Sequence, residues 1–213
     1  MTRKVLLTCG VAASVLYAAM NVIAAVVYQG YSSISQTVSE LSAIGAPTRG
    51  LWVALATVYS LLVMAFGWGV WRSGHSRPLR IVGGVMIAQA VIGLAWPPMH
   101  QREVLAMGGG TLTDKLHIVW AIVTSLLFLL AIAFGAAALG KRFRRYSIAT
   151  AVILLLFGAL TGMVSPGISA NLPTPLIGVW ERINIGAYML WVAVLAIGLL
   201  RVRAAGSVHL QHT

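Results

Sequence analysis

An all-α membrane bundle of six transmembrane helices is the fold class the sequence predicts, and three observations carry it. Hydrophobic residues fill 59% of the 213 positions and charged residues only 9%, against about 25% charged in a soluble domain. Six apolar runs approach the roughly 20 residues a helix needs to cross the hydrocarbon core. The fifteen lysines and arginines sit in short clusters between those runs, dense and sparse in alternation, as an even number of crossings requires.

In chain order the spans are expected at Val5 to Tyr28, Leu51 to Trp71, Ile81 to Trp96, Leu116 to Leu139, Ser147 to Val164 and Val179 to Leu200. Together they make residues 1–213 a single transmembrane domain, with 201–213 as a cytoplasmic tail. The basic start Met1 to Lys4 looks like the head of a signal peptide. The apolar run behind it is too long for one and contains Tyr17 and Asn21, so an uncleaved first span is expected.

Orientation follows from the loops. Arg3, Lys4, Arg72, Arg77, Arg80, Lys141, Arg142, Arg144, Arg145, Arg201 and Arg203 share one side, while Arg49, Arg102, Lys115 and Arg182 share the other. The positive-inside rule puts the first set, and both termini, in the cytoplasm of a bacterial cell. All four acidic residues, Glu40, Glu103, Asp114 and Glu181, then fall on the opposite, trans side with His100 and His117. His75 belongs to a cytoplasmic loop, and His209 and His212 to the polar tail.

Composition also excludes functions. The net charge of +11 is spent on orienting helices, so nucleic acid is not a partner. Cys9 is the one cysteine, which rules out an intramolecular disulfide and a cysteine-based metal site. There is no Walker loop, dinucleotide fingerprint, HExxH or GxSxG motif.

The trans loops are longer and richer in Gly, Pro, Ser and Thr than the cytoplasmic turns. In the first, Ser33 and Gln36 have capping-box spacing, Ile34, Val38 and Leu41 repeat at helical intervals, and Gly45 and Pro47 supply a stop. A short helix is expected there, lying on the surface or dipping into the bundle, with Gln36, Ser39 and Glu40 on its polar side. The run from Ile34 to Pro47, with Ser39-Glu40-Leu41 and then Gly45, resembles an uncharacterised six-helix membrane family of bacteria and archaea, domain of unknown function 998. His117 opening the fourth span and Glu181-Arg182 opening the sixth look like that family's other polar marks. The resemblance covers Val5 to Leu200 and implies no established activity.

Several constellations can carry chemistry. His100 with Glu103, and Asp114 with His117, stand three residues apart, and two histidines with two carboxylates are candidate ligands for a divalent metal. Against this, Thr111 and Asp114 form a capping box, and an acid in a first turn suits the helix dipole without any ligand. Glu181, Asn184 and Tyr188 share a face of the sixth span, and Ser14, Tyr17, Asn21 and Tyr28 a face of the first. These stripes make Tyr17, Asn21, Ser39, Asn184 and Tyr188 candidate substrate-binding residues around a shared interior; interhelical hydrogen bonding is the alternative. Gly158 and Gly162 form GxxxG, which permits an oligomer.

Three functions fit these residues. The first is a membrane-embedded hydrolase or transferase acting on a lipid-like substrate, with Glu40, His117, Glu181 and Arg182 as catalytic candidates. The second is a carrier or binding protein for a lipid or small molecule. The third is an electron carrier with haem held by His100 and His117.

Overall fold

The computed structural model describes residues 2–74 and 76–209, with backbone alone for 202–209. The expectations placed on His75, His212 and the side chain of His209 lie outside the described residues. Among the described residues there are six long helices: α1 (Arg3–Val27), α2 (Arg49–Ser73), α3 (Arg77–Leu94), α5 (Leu112–Ala138), α6 (Lys141–Val164) and α8 (Ile177–His209). Two short helices, α4 (Arg102–Ala106) and α7 (Pro166–Ser169), and one 3-10 helix (Val38–Ser42) lie in the connections. Each of the six contains a stretch long and apolar enough to cross a membrane.

The helix limits have local causes. Pro78 sits in the first turn of α3, where its missing N–H costs nothing, so α3 begins at Arg77, before the apolar run itself. It ends at Leu94, shortly before Pro97 and Pro98, because a residue preceding proline avoids the helical region. The helix α5 starts behind a Thr111/Asp114 capping box, as the sequence suggests. The expected helix in the first long loop is shorter and later than its sequence spacing implied. Its capping box joins Thr37 to Glu40, whereas Gln36 Oε1 accepts from the Ser32 N–H.

The six long helices close a ring in the order α1, α2, α3, α5, α6, α8. Packing rather than water expulsion holds such helices together in lipid, and small residues let backbones approach. The α2–α3 crossing is the clearest case: a Cβ on Gly83 would lie 2.6 Å from Trp71 N and 2.7 Å from Gly67 O. Of the GxxxG pair, a Cβ on Gly158 would lie 3.0 Å from Asn184 Nδ2 of α8, while Gly162 faces open space. Polar side chains tie the ring across its interior. Tyr188 donates to Gln89 Oε1 (2.7 Å), the Trp191 indole to Ser147 Oγ (2.9 Å) and Asn184 to the Leu154 carbonyl (2.8 Å). At one end Arg3 reaches Ser73 and the Leu199 carbonyl. This basic end carries Arg72, Arg77, Arg80 and the Lys141–Arg145 cluster; the opposite end carries the three longer connections and all four acids.

Candidate functional site: a cap gripped at three successive residues

The connection from Tyr28 to Thr48 folds over the bundle as a cap, and its 3-10 helix is the centre of the site. Val38, Glu40, Leu41 and Ser42 are buried, and Glu40 is 3% exposed. Three consecutive residues of this helix are each held by a different element. The Val38 N–H donates to Glu181 Oε2 of α8 at 2.5 Å. Ser39 Oγ lies 3.0 Å from His117 Nε2 of α5. The Glu40 carboxylate takes a bidentate ion pair from Arg102 of α4, with Nε at 2.8 Å and Nη2 at 2.9 Å.

Glu40 is richly supplied with donors. Besides Arg102 it accepts from the Thr37 N–H (2.7 Å), the Thr37 hydroxyl (2.9 Å) and Gln36 Nε2 (3.2 Å). A buried carboxylate is tolerated only when its lone pairs are matched in this way. A cleft of about 20 Å³ beside the pair, bounded by Tyr28, Gln101 and Glu103, has room for one water molecule.

Arg182 organises the first part of the cap. Its Nη1 donates to the carbonyls of Ser33, Gln36 and Gly178, and its Nη2 to the Tyr31 hydroxyl at 2.6 Å. The guanidinium also lies over the Tyr31 ring, 5.6 Å from its centroid. Burial pushes the Tyr31 phenol up to about 12, against the opposing pull of Arg182. Gly178 is required where α8 begins, because a Cβ there would strike the Gln36 and Ser33 carbonyl oxygens.

His117 is 8% exposed, and both ring nitrogens are engaged. Nδ1 lies 2.7 Å from the Pro97 carbonyl oxygen. A carbonyl can only accept, so Nδ1 carries a proton, and in the neutral form of the ring Nε2 is bare and accepts from the Ser39 hydroxyl. Trp96 and Trp120 pack against the imidazole at 6.4 and 5.9 Å between centroids. Arg49 lies over Trp96 at 5.6 Å and donates to the Ser42 carbonyl.

The sequence-derived site residues separate into groups. Glu40, His117 and Glu181 make no hydrogen bond to one another; Glu181 and His117 meet Val38 and Ser39, the two residues that precede Glu40 in one helix. Arg182 meets the same loop farther along. Tyr17 and Asn21 line a groove between α1 and α8, whereas Asn184 and Tyr188 turn to α6 and α3. The four candidate metal ligands are divided too. His100 Nδ1 and the His100 N–H both meet Asp114, His117 meets Ser39, and Glu103 is exposed. Among the described residues no three His, Cys, Asp or Glu side chains form a metal-holding group. The two histidines of the haem alternative thus meet different partners, His100 meeting Asp114 and His117 meeting Ser39.

Sequence reasoning passed over Arg102, Thr37, Tyr31, Trp96 and Arg49. The Thr37-x-x-Glu40 capping box was available as a signal. Arg102 had a weaker one, being a base in a connection otherwise suited to face the acids.

Six membrane-capable helices closed into a ring, with one end sealed by a buried polar cap, define an integral membrane protein of the polytopic helical class. The chain belongs to the family described as a protein of unknown function (DUF998), which matches residues 11–198. No curated protein and no solved structure matches it.

Proposed function

We propose that this protein is a membrane-embedded hydrolase or transferase that acts on a lipid-like substrate at the capped end, on the non-cytoplasmic side. The observation that carries the reading is the Ser39–His117 pair: a hydroxyl 3.0 Å from Nε2 of an imidazole whose Nδ1 proton is committed to the Pro97 carbonyl. Such an arrangement is a nucleophile with its base and an orienting third group. Ser39, a substrate-binding candidate by sequence, takes the role of nucleophile. Glu181 holds Val38 on one side of it, and Glu40, fixed by Arg102, follows on the other, so both act as positioning residues.

The chemistry balances simply. Ser39 Oγ forms a bond to the acyl carbon or phosphorus while its proton passes to His117 Nε2. The leaving alcohol takes that proton as its own bond breaks. Water gives a hydrolase in the second step, and an acceptor alcohol gives a transferase. Arg49, stacked on Trp96 beside the imidazole, supplies a cation for a phosphate or carboxylate on the substrate.

The test is labelling of the purified protein in nanodiscs with a small fluorophosphonate, located by mass spectrometry. Label is expected on Ser39, absent in Ser39→Ala, and about 10²-fold slower in His117→Ala, the lower figure for loss of a general base. Thermal unfolding of the same samples controls for folding, since one hydrogen bond contributes only about 1 kcal/mol. Absence of label in the folded wild type, or labelling that survives Ser39→Ala, overturns the assignment.

A further inference from the structure

A groove of about 440 Å³ runs between α1 and α8, within the ~300–1,000 Å³ usual for ligand sites. Its walls are Val11, Tyr17 and Asn21 from α1 and Ile185, Gly186 and Leu190 from α8. Val38 and Arg182 stand at the capped end. Val15 and Leu190 along it are 63% and 58% exposed, so the groove opens sideways from the ring, toward the surface that faces lipid. From Arg182 to Ala193 the wall of α8 rises roughly 16 Å at ~1.5 Å per residue, which is about half of a ~30 Å hydrocarbon core. It therefore spans one leaflet and stops near the midplane.

We infer that this groove is a binding site for one hydrocarbon chain of a lipid from the leaflet at the capped end. Three features favour that occupant over a helix or a polar solute. The lining surface is mostly apolar, with Ser14, Tyr17 and Asn21 the polar side chains along α1, the length matches a single leaflet, and the upper end closes on Val38 and the Arg182 cation. Gly186 shapes the middle of the groove: a Cβ there would meet nothing within 4 Å, so the wall is recessed by a missing side chain. The inference goes beyond the Ser39 chemistry, since binding is read without turnover. It gives that chemistry a substrate class, because Val38 at the groove mouth immediately precedes Ser39.

Gly186→Leu fills the recess without clashing with the protein, and leucine is the better helix former. Gly198→Leu is the matched control: it lies on the same helix, also has nothing within 4 Å of a Cβ, and is outside the groove. The experiment places each protein in nanodiscs of phosphatidylglycerol and phosphatidylethanolamine containing a trace of phospholipid with a diazirine in one acyl chain. After irradiation, crosslinks are mapped and compared with the lipid-facing stretch of α5 around Ile118 and Ile122, which are 60% and 56% exposed. Crosslinks are expected to concentrate on 11–21 and 185–193. In Gly186→Leu they should fall roughly tenfold, the change that lost contact with about two methylenes gives, and in Gly198→Leu they should stay. Groove labelling no higher than α5, or a Gly186→Leu variant that labels like wild type, would overturn the proposal. Fluorophosphonate labelling of Ser39 in Gly186→Leu separates the two readings: its persistence there with lost lipid crosslinks supports the groove alone, and its absence in wild type leaves the crosslinking result standing.

Discussion

Removing Arg102 tests whether the cap is held by the buried ion pair. Arg102→Ala leaves the Glu40 carboxylate, 4% exposed at its side chain, facing an empty space with three donors in place of five. Deleting one partner of a buried pair costs about 3–5 kcal/mol. The Arg102 side chain is 12% exposed, so water can enter where it stood, and the lower figure of about 3 kcal/mol applies. Glu40→Gln keeps the shape but turns an acceptor oxygen into a donor against Arg102 or Thr37, and should cost roughly 2 kcal/mol. The double variant Glu40→Gln/Arg102→Ala should lose less than the sum of the single changes by at least ~1 kcal/mol, the mark of direct coupling. Reversible unfolding in mixed micelles, followed by circular dichroism and by protease cutting of the cap, measures all three. An Arg102→Ala variant within about 0.5 kcal/mol of wild type, the range of ordinary surface changes, would refute the reasoning.

Two further outcomes follow from packing and ionisation. Gly83→Leu forces α2 and α3 apart where the backbones nearly touch and should destabilise by about 3 kcal/mol, whereas Gly50→Ala, in open space, should be neutral or stabilising by up to ~1 kcal/mol; thermal melts compare them. Tyr31 holds its proton more tightly folded, at about 12, than at its ordinary value of 10.0. Its contribution is therefore complete below pH 10 and is lost as pH rises through 12, so Tyr31→Phe should show a shallower fall in stability over that window than wild type.

Much of this architecture was legible in the residues themselves. Apolar run length and loop charge placed six helices and gathered the acids at one end. The Thr111/Asp114 cap was readable because its partners are three residues apart. Glu40's ion pair was not: Arg102 lies 62 positions away, in a connection whose path depends on how α3 and α5 pack. The same holds for Val38 and Glu181, separated by 143. Periodicity put Asn184 and Tyr188 on one face of α8. It could not say that this face meets α6 and α3 while the α1 stripe opens on a groove, because that depends on helix order around the ring. The start of the 3-10 helix was misplaced since Ser33/Gln36 and Thr37/Glu40 offer the same spacing, and burial of Glu40 decides between them.

The triple grip on Val38, Ser39 and Glu40 also sets an order of assembly. The cap is synthesised between the first two long helices, yet its fastenings come from α4, α5 and finally α8. Until the last helix has entered the membrane the Val38 N–H has no Glu181 to meet. Completion of the latch at Val38 therefore waits for residue 181, and a chain cut short before it would lack that fastening of its earliest loop.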